Sequence, residues 1–272
     1  MDIYPDKADR LLFETRSSLN LIRVWEKLNG FRYLTLDGVQ HGGHIPGQPG
    51  RLILPYFKGA AAALIFLDKP RDYLFMGLGM AALPSFFRAI QPDAEIDIAE
   101  IDPSVTLAAK DWFGFREDAL TRVHHGDGRA FVRAAKKKYD AVFLDAYQEL
   151  GIPSHMMTLE FMREVREVLK PGGVAVSNLW GSAVNTNFGS SVKTLMAAFE
   201  HLYQFKSYTY NFIFVCDTKP DEIPAHELLK RAKKTDEKYD VGFSLLQMVR
   251  RNYSKVDEGE YGENSLICDS GV

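Results

Sequence analysis

The chain has 272 residues, 46% hydrophobic and 25% charged, with a net charge of −3 at neutral pH. That length holds one large core plus a small appended module, and the composition is that of an ordinary globular protein. A slightly acidic chain whose one tight basic run is Lys136–Lys138 has no electrostatic footprint for nucleic acid. Cys216 and Cys268 fit neither a metal-ligand spacing nor a disulfide framework, so a reducing cytoplasm is the expected compartment. The opening Met1–Asp6 lacks the basic and apolar regions of a signal peptide. Ala60–Leu67, the longest apolar stretch, is too short to span a bilayer, so no membrane is expected.

In chain order, residues 1–55 read as a small antiparallel β module. Asn20–Trp25 and Phe31–Leu36 alternate apolar and polar around Asn29-Gly30, the strongest short-range hairpin signal. Asp37-Gly38 starts another turn, and His41–Gly50 reads as a glycine/proline loop. Residues 56–67 read as a helix opening a second domain, 56–252. There Tyr73–Met76 is an apolar strand that breaks at Gly77 and Gly79, and Ile96–Ala99 is a strand ending on Glu100. Arg122–His125 runs into Gly126-Asp127-Gly128, and Tyr139–Leu144 ends at Asp145. A helix over Phe161–Leu169, a turn at Pro171–Gly173 and a fifth strand over Val174–Leu179 follow. Met196–Tyr203 reads as a late helix, Ser207–Cys216 as closing strands, and 225–252 as two amphipathic helices. The polar segment 253–272 is expected to be a loosely held tail. Strand and helix alternating through short Gly/Pro connections predict an α/β fold: a doubly wound, mostly parallel Rossmann-like sheet behind the β module.

The carboxyl ends of these strands carry the chemistry. Glycines at a helix N-terminus let backbone approach a ligand, and the next strand's terminal carboxylate can take two ribose hydroxyls. Gly77, Gly79 and Ala82 also satisfy the dinucleotide pattern, so the loop alone leaves the nucleoside open. Glu100 is preferred to Asp102 for the ribose because it stands at the strand's end, whereas Asp102 before Pro103 reads as a helix N-cap. Asp127 reads as adenine recognition or as a cap. Asp145, after four apolar residues, emerges at the edge where ligands of open α/β sheets bind. Gln40, Tyr56 and Tyr147 read equally as cleft or core, and Asn178–Trp180 as cleft wall or packing. His41 and His44 share a loop while His124 and His125 point to opposite faces, so no converging set supports a metal site.

The order of these motifs resembles S-adenosylmethionine-dependent methyltransferases more than NAD-dependent dehydrogenases. Within that superfamily it resembles the spermidine synthase (polyamine aminopropyltransferase) family over roughly residues 10–218. Tyr33–Gln40 looks like the family's N-terminal hairpin motif, and Leu54-Pro55-Tyr56 like the segment that carries a substrate-lining Tyr. Asp145, with Gly151 and Pro153 beyond it, looks like the gate loop that carries the catalytic Asp. The resemblance implies that Gly77, Gly79, Glu100, Asp127 and Gly128 hold decarboxylated S-adenosylmethionine or S-adenosylmethionine as co-substrate. It makes Asp145 the catalytic base, and Gln40, Tyr56, Tyr147 and Gln148 the lining of a small-molecule amine channel, with no metal and in a homodimer. Two sites depart from the pattern. The loop Asp that receives the donor's amine is Met80, and the gate loop's second Asp and following Pro are Gln148 and Glu149. Aminopropyl transfer is the activity implied, with a small-molecule methyltransferase and a non-catalytic nucleoside-binding homologue as alternatives. The acceptor pocket is expected to be less negative than a putrescine site needs.

Overall fold

Alternating apolar residues build the first sheet. The computed structural model describes residues 6–48, 50–147, 151–207 and 210–269, and its chain opens with four antiparallel strands in sequential order. These are β1 (Arg10–Arg16), β2 (Leu21–Glu26), β3 (Arg32–Leu36) and β4 (Val39–His44). Ile22 and Val24 of β2 are fully buried on one face, as the period-two pattern requires. Asp37 (φ 49°) and Gly38 (φ 92°) close the β3–β4 hairpin with the paired positive φ of a two-residue turn. β4 runs on to His44, where the sequence suggests a loop from His41. Gly42 and Gly43 give the pairing room, because a Cβ on Gly43 would lie 2.2 Å from the Phe31 ring.

The expected helix over 56–67 is two short ones, α1 (Pro55–Ala60) and α2 (Ala63–Phe66), joined by tight turns at Ala61 and Ala62. The parallel core follows: β5 (Asp72–Met76), α3 (Ala82–Ile90), β6 (Glu95–Glu100), α4 (Pro103–Phe113), β7 (Thr121–His125), α5 (Gly128–Ala134) and β8 (Tyr139–Leu144). Next come α6 (Leu159–Glu167), β9 (Leu169–Trp180), α7 (Phe188–Ala198), β10 (His201–Lys206) and β11 (Asn211–Asp217). The chain ends with α8 (Ala225–Lys238), α9 (Leu245–Asn252), β12 (Tyr253–Lys255) and α10 (Glu258–Tyr261). The large sheet has the order β12-β10-β11-β9-β8-β5-β6-β7, parallel from β9 to β7 and antiparallel from β9 outwards. Its central strands are apolar on both faces. Phe75 and Phe143 stack at 4.5 Å on one side, while Leu74, Met76 and Val142 pack on the other.

Three further expectations change. Pro171–Gly173 lies inside β9 as a bulge that shifts the register against β8, with Gly172 at φ 75°. The late helix sits earlier, over Phe188–Ala198, because His201–Lys206 pairs antiparallel with β11; a short apolar run suits either element, and the partner strand decides. Residues 253–269 are not a loose tail either. β12 pairs with β10, and Asp269 joins Glu164 in neutralising the buried guanidinium of Arg129 at 2.7 Å each.

Asp102 ties the two sheets together. It caps α4 through the Ser104 amide (2.9 Å) and accepts from Ser17 Oγ (2.5 Å) and Asn20 Nδ2 (2.8 Å) of the β1–β2 turn. His44 sits under the same module, 3% exposed and against the ring of Phe113 at 5.1 Å. Neither of its ring nitrogens has a hydrogen-bond partner among the described residues. Burial, aided by Arg32, pushes its pKa down to about 4. The folded state therefore holds His44 neutral while the unfolded chain protonates near 6.5, so stability is lost as pH falls from about 6.5 towards 4. His44→Leu removes two unpaired polar atoms and should gain about 1–2 kcal/mol at pH 7. Urea unfolding at several pH values checks this, and the gain should widen on acidification. Equal losses in wild type and variant between pH 6.5 and 4 would contradict it.

Candidate active site

The strand order reverses between β5 and β8, and the crevice there opens at the carboxyl ends of both strands. Gly77 follows β5 at φ 89°, and a Cβ on it would stand 2.8 Å from the carbonyl oxygen of Asp145. Only glycine allows that approach. The glycine loop continues through Gly79 (φ 53°) and Ala81 (φ 65°) into α3. Around it lies a cleft of about 890 Å³, lined among others by Gln40, Tyr56, Gly77, Gly79, Glu100, Asp127, Gly128, Asp145 and Tyr147. Nine of the residues singled out from the sequence thus meet in one cavity; Gln148 lies outside the described residues.

Glu100 terminates β6 and is buried. One of its oxygens accepts from the Leu78 amide (2.8 Å) and the other from the Asp102 amide (2.8 Å). Burial raises its pKa, and these two amides partly offset that. An ionised carboxylate has about four lone-pair sites, so Glu100 can fix the glycine loop and still accept from ligand hydroxyls. Asp127 caps α5 through the Ala130 amide (2.8 Å), and its other oxygen meets His155 Nε2 at 2.8 Å. Burial pushes the Asp127 pKa up, but the Ala130 amide and His155 outweigh it and leave the carboxyl below its usual value. The two readings of Asp127, cap and cleft residue, are compatible at one strand end.

Asp145 stands just past β8, half-buried. Burial lifts its pKa to about 6, against the opposing hydrogen bond from Asn178 Nδ2 (2.8 Å). Asn178 in turn accepts from Asn211 Nδ2 at 2.9 Å. Tyr147 donates to the Asn178 carbonyl (2.9 Å), accepts from the Trp180 amide (2.9 Å) and stacks on the Trp180 ring at 4.5 Å. Tyr56 packs on Phe57 at 4.1 Å; burial, with the Asp145 charge, holds its hydroxyl well above its usual pKa. Asn178, left as wall or packing by the sequence, thus orients Asp145. Its position at the end of β9, on the same edge as Asp145, is the signal that points there. Asn211 and His155 carry no such local signal, since their partners lie 33 and 28 residues away.

Met80 does not reach the cleft lining. It is 3% exposed and packs where a side chain on Gly42 would be, since a Cβ there would stand 2.9 Å from its Cγ and Sδ. The described lining carries four carboxylates (Asp37, Glu100, Asp127 and Asp145) and no lysine or arginine.

Residues 85–209 match the spermine/spermidine synthase domain. Over that segment the chain resembles the spermine/spermidine synthase family. It is 36% identical over 162 residues to the polyamine aminopropyltransferase of Vibrio vulnificus (strain CMCP6), a match that covers 58% of this chain and 54% of that protein. The chain therefore spans about half the length of that relative. Human methyltransferase-like protein 13, solved in complex with SAH, superposes with a TM-score of 0.62 at 27% identity, over 75% of this chain and 96% of that one. A probable spermidine synthase from Corynebacterium glutamicum shares the fold, with a TM-score of 0.77 over 96% of this chain and 97% of that one at 16% identity.

Glu100→Ala should weaken binding of methylthioadenosine by about 2–3 kcal/mol, through lost charge-assisted hydrogen bonds. It should also lower the melting temperature of the free protein, because two buried amides lose their acceptor. Calorimetric titration and thermal unfolding measure the two effects separately. Unchanged affinity would remove Glu100 from the nucleoside site.

Proposed function

We propose that this protein transfers an aminopropyl group from decarboxylated S-adenosylmethionine to an amine, with Asp145 as the proton acceptor. The observation that carries the reading is a half-buried carboxylate with a pKa near 6, standing against a glycine loop at the switch point of the sheet. Glu100 would accept from the ribose hydroxyls and Asp127 from the adenine amine. Gly77 and Gly79 would let the backbone run close beneath the sulfonium group.

The amine nitrogen attacks the carbon next to the sulfonium sulfur. The new C–N bond forms as the C–S bond breaks, and the electron pair goes to sulfur as a neutral thioether. No leaving group needs protonation, so the protein's tasks are alignment and removal of one proton from the attacking ammonium. Burial lowers an amine's pKa while it raises that of Asp145, which brings donor and acceptor of that proton closer together. Asn178 holds one Asp145 oxygen and thereby fixes which one faces the cleft.

Charge favours the decarboxylated donor. The carboxylate of S-adenosylmethionine would enter a lining whose described residues include four carboxylates and no lysine or arginine, at a cost of roughly 1–4 kcal/mol for each like charge 4 Å away. The second reading, methyl transfer, is favoured by Met80, whose burial leaves no counter-charge at the family's donor-amine position. Resemblance to a human methyltransferase solved with SAH points the same way.

Mass analysis of products from each donor with a panel of amines separates the two readings, because the groups added differ in mass. Asp145→Asn should reduce kcat about a hundredfold or more while leaving nucleoside affinity intact. Since the base works deprotonated, wild-type kcat/KM should fall as pH drops below about 6. Asp145→Asn should lose that limb. Full activity of the variant would remove Asp145 from the mechanism.

A further inference from the structure

The cleft is electrostatically lopsided. Glu100 and Asp127 lie at the ends of β6 and β7, and Asp37 binds the Leu21 amide (2.9 Å) next to Asn20, which reaches Asp102 at the start of α4. Those three carboxylates share the nucleoside half. In the other half, among the described residues, Asp145 is the one carboxylate. Around it stand Tyr56, Tyr147, Trp180, Val184 and Tyr210.

Several polar groups of that half bond one another. The Tyr147 hydroxyl donates to Asn178 and accepts from Trp180, and the Asn178 amide bridges Asp145 and Asn211. Farther out, Val184 and Tyr210 are 54% and 61% exposed, so apolar surface faces water at the mouth. Scattered apolar residues on a surface need no explanation, but two beside a stacked Tyr–Trp pair at a cleft mouth form a continuous apolar wall.

Resting on the aminopropyl-transfer reading, we infer that the acceptor is a primary monoamine with an apolar or aromatic body. Asp145 takes its single ammonium. The stacked rings of Tyr147 and Trp180, with Val184 and Tyr210, cover its body. Among the described residues of this wall a diamine's distal ammonium meets no carboxylate, and a cation–π contact with Trp180 replaces only part of the hydration it gives up. An apolar body instead removes Val184 and Tyr210 from water along with itself. Trp180 closes β9, Val184 lies in the turn after it and Tyr210 just before β11, so these three stand apart from Met80, which does not line the cleft.

The test compares n-butylamine and phenethylamine with the length-matched diamine putrescine, following thioether release from the nucleoside donor. Wild-type kcat/KM should favour the better monoamine by about tenfold or more, and a smaller preference or a preference for putrescine overturns the inference. Val184→Asp places a carboxylate on an exposed turn outside the catalytic residues, so folding should survive. It should shift the monoamine-to-putrescine ratio towards putrescine by about tenfold, and an unmoved ratio overturns the inference even if the wild type prefers monoamines. Transfer to putrescine alone leaves the group-transfer function standing while this inference fails. Absence of thioether release with every amine overturns both.

Discussion

Between Gly77 and Asp145 two neighbouring strands come so close that no side chain fits, with 2.8 Å between the site of a Cβ and the Asp145 carbonyl oxygen. The whole arrangement hangs on that approach. It lets the Asp145 amide reach the Met76 carbonyl at 3.2 Å, just beyond the β5–β8 ladder, and seats Asp145 beside the glycine loop. Glu100 fixes the other end of the loop by accepting from Leu78, and through Asp102 it connects to the N-terminal sheet. One chain of backbone contacts and carboxylates thus sets the relative position of the glycine loop, Asp145 and the N-terminal module beside the cleft.

Electrostatics then decides what the cleft can hold. Asp145 is desolvated enough to titrate near 6, yet it keeps a hydrogen bond from Asn178, the combination expected of a group that must give and take a proton near neutrality. Asp127 is held in its ionised form by a helix amide and His155. Where the family places an acidic residue in the glycine loop, Met80 is part of the hydrophobic core against Gly42 and Phe57. Met80 and Gly42 fit each other, since a side chain at position 42 would collide with Met80. Reverting Met80 to an acid therefore needs a buried charge to find a new place, and is not a simple exchange.

The parallel sheet and its strand ends were legible because each strand is a short apolar run that stops at Gly, Asp or Glu. Periodicity and punctuation together locate Glu100, Asp127 and Asp145 to the residue. Asp102 also read correctly as a cap, but its bonds to Ser17 and Asn20 are more than 80 residues away in sequence and leave no local trace. The same limit hid Asn211 behind Asn178 and Asp269 behind Arg129. Short apolar runs misled where a partner strand decides the outcome: His201–Tyr203 reads as the end of a helix until β11 pairs with it. Pro171–Gly173 reads as a turn between a helix and the fifth strand, because the proline and two glycines break the local pattern. Pairing on both sides of the break makes it a bulge within one strand.

A crystal structure with methylthioadenosine bound would show whether Gly77–Gly79, Glu100, Asp127 and Asp145 form one site for a sulfonium nucleoside. The ribose hydroxyls should lie on Glu100, the adenine amine towards Asp127 and the thioether sulfur over the glycine loop, facing Asp145. A nucleoside bound elsewhere, or with its sulfur turned away from Asp145, would contradict that placement.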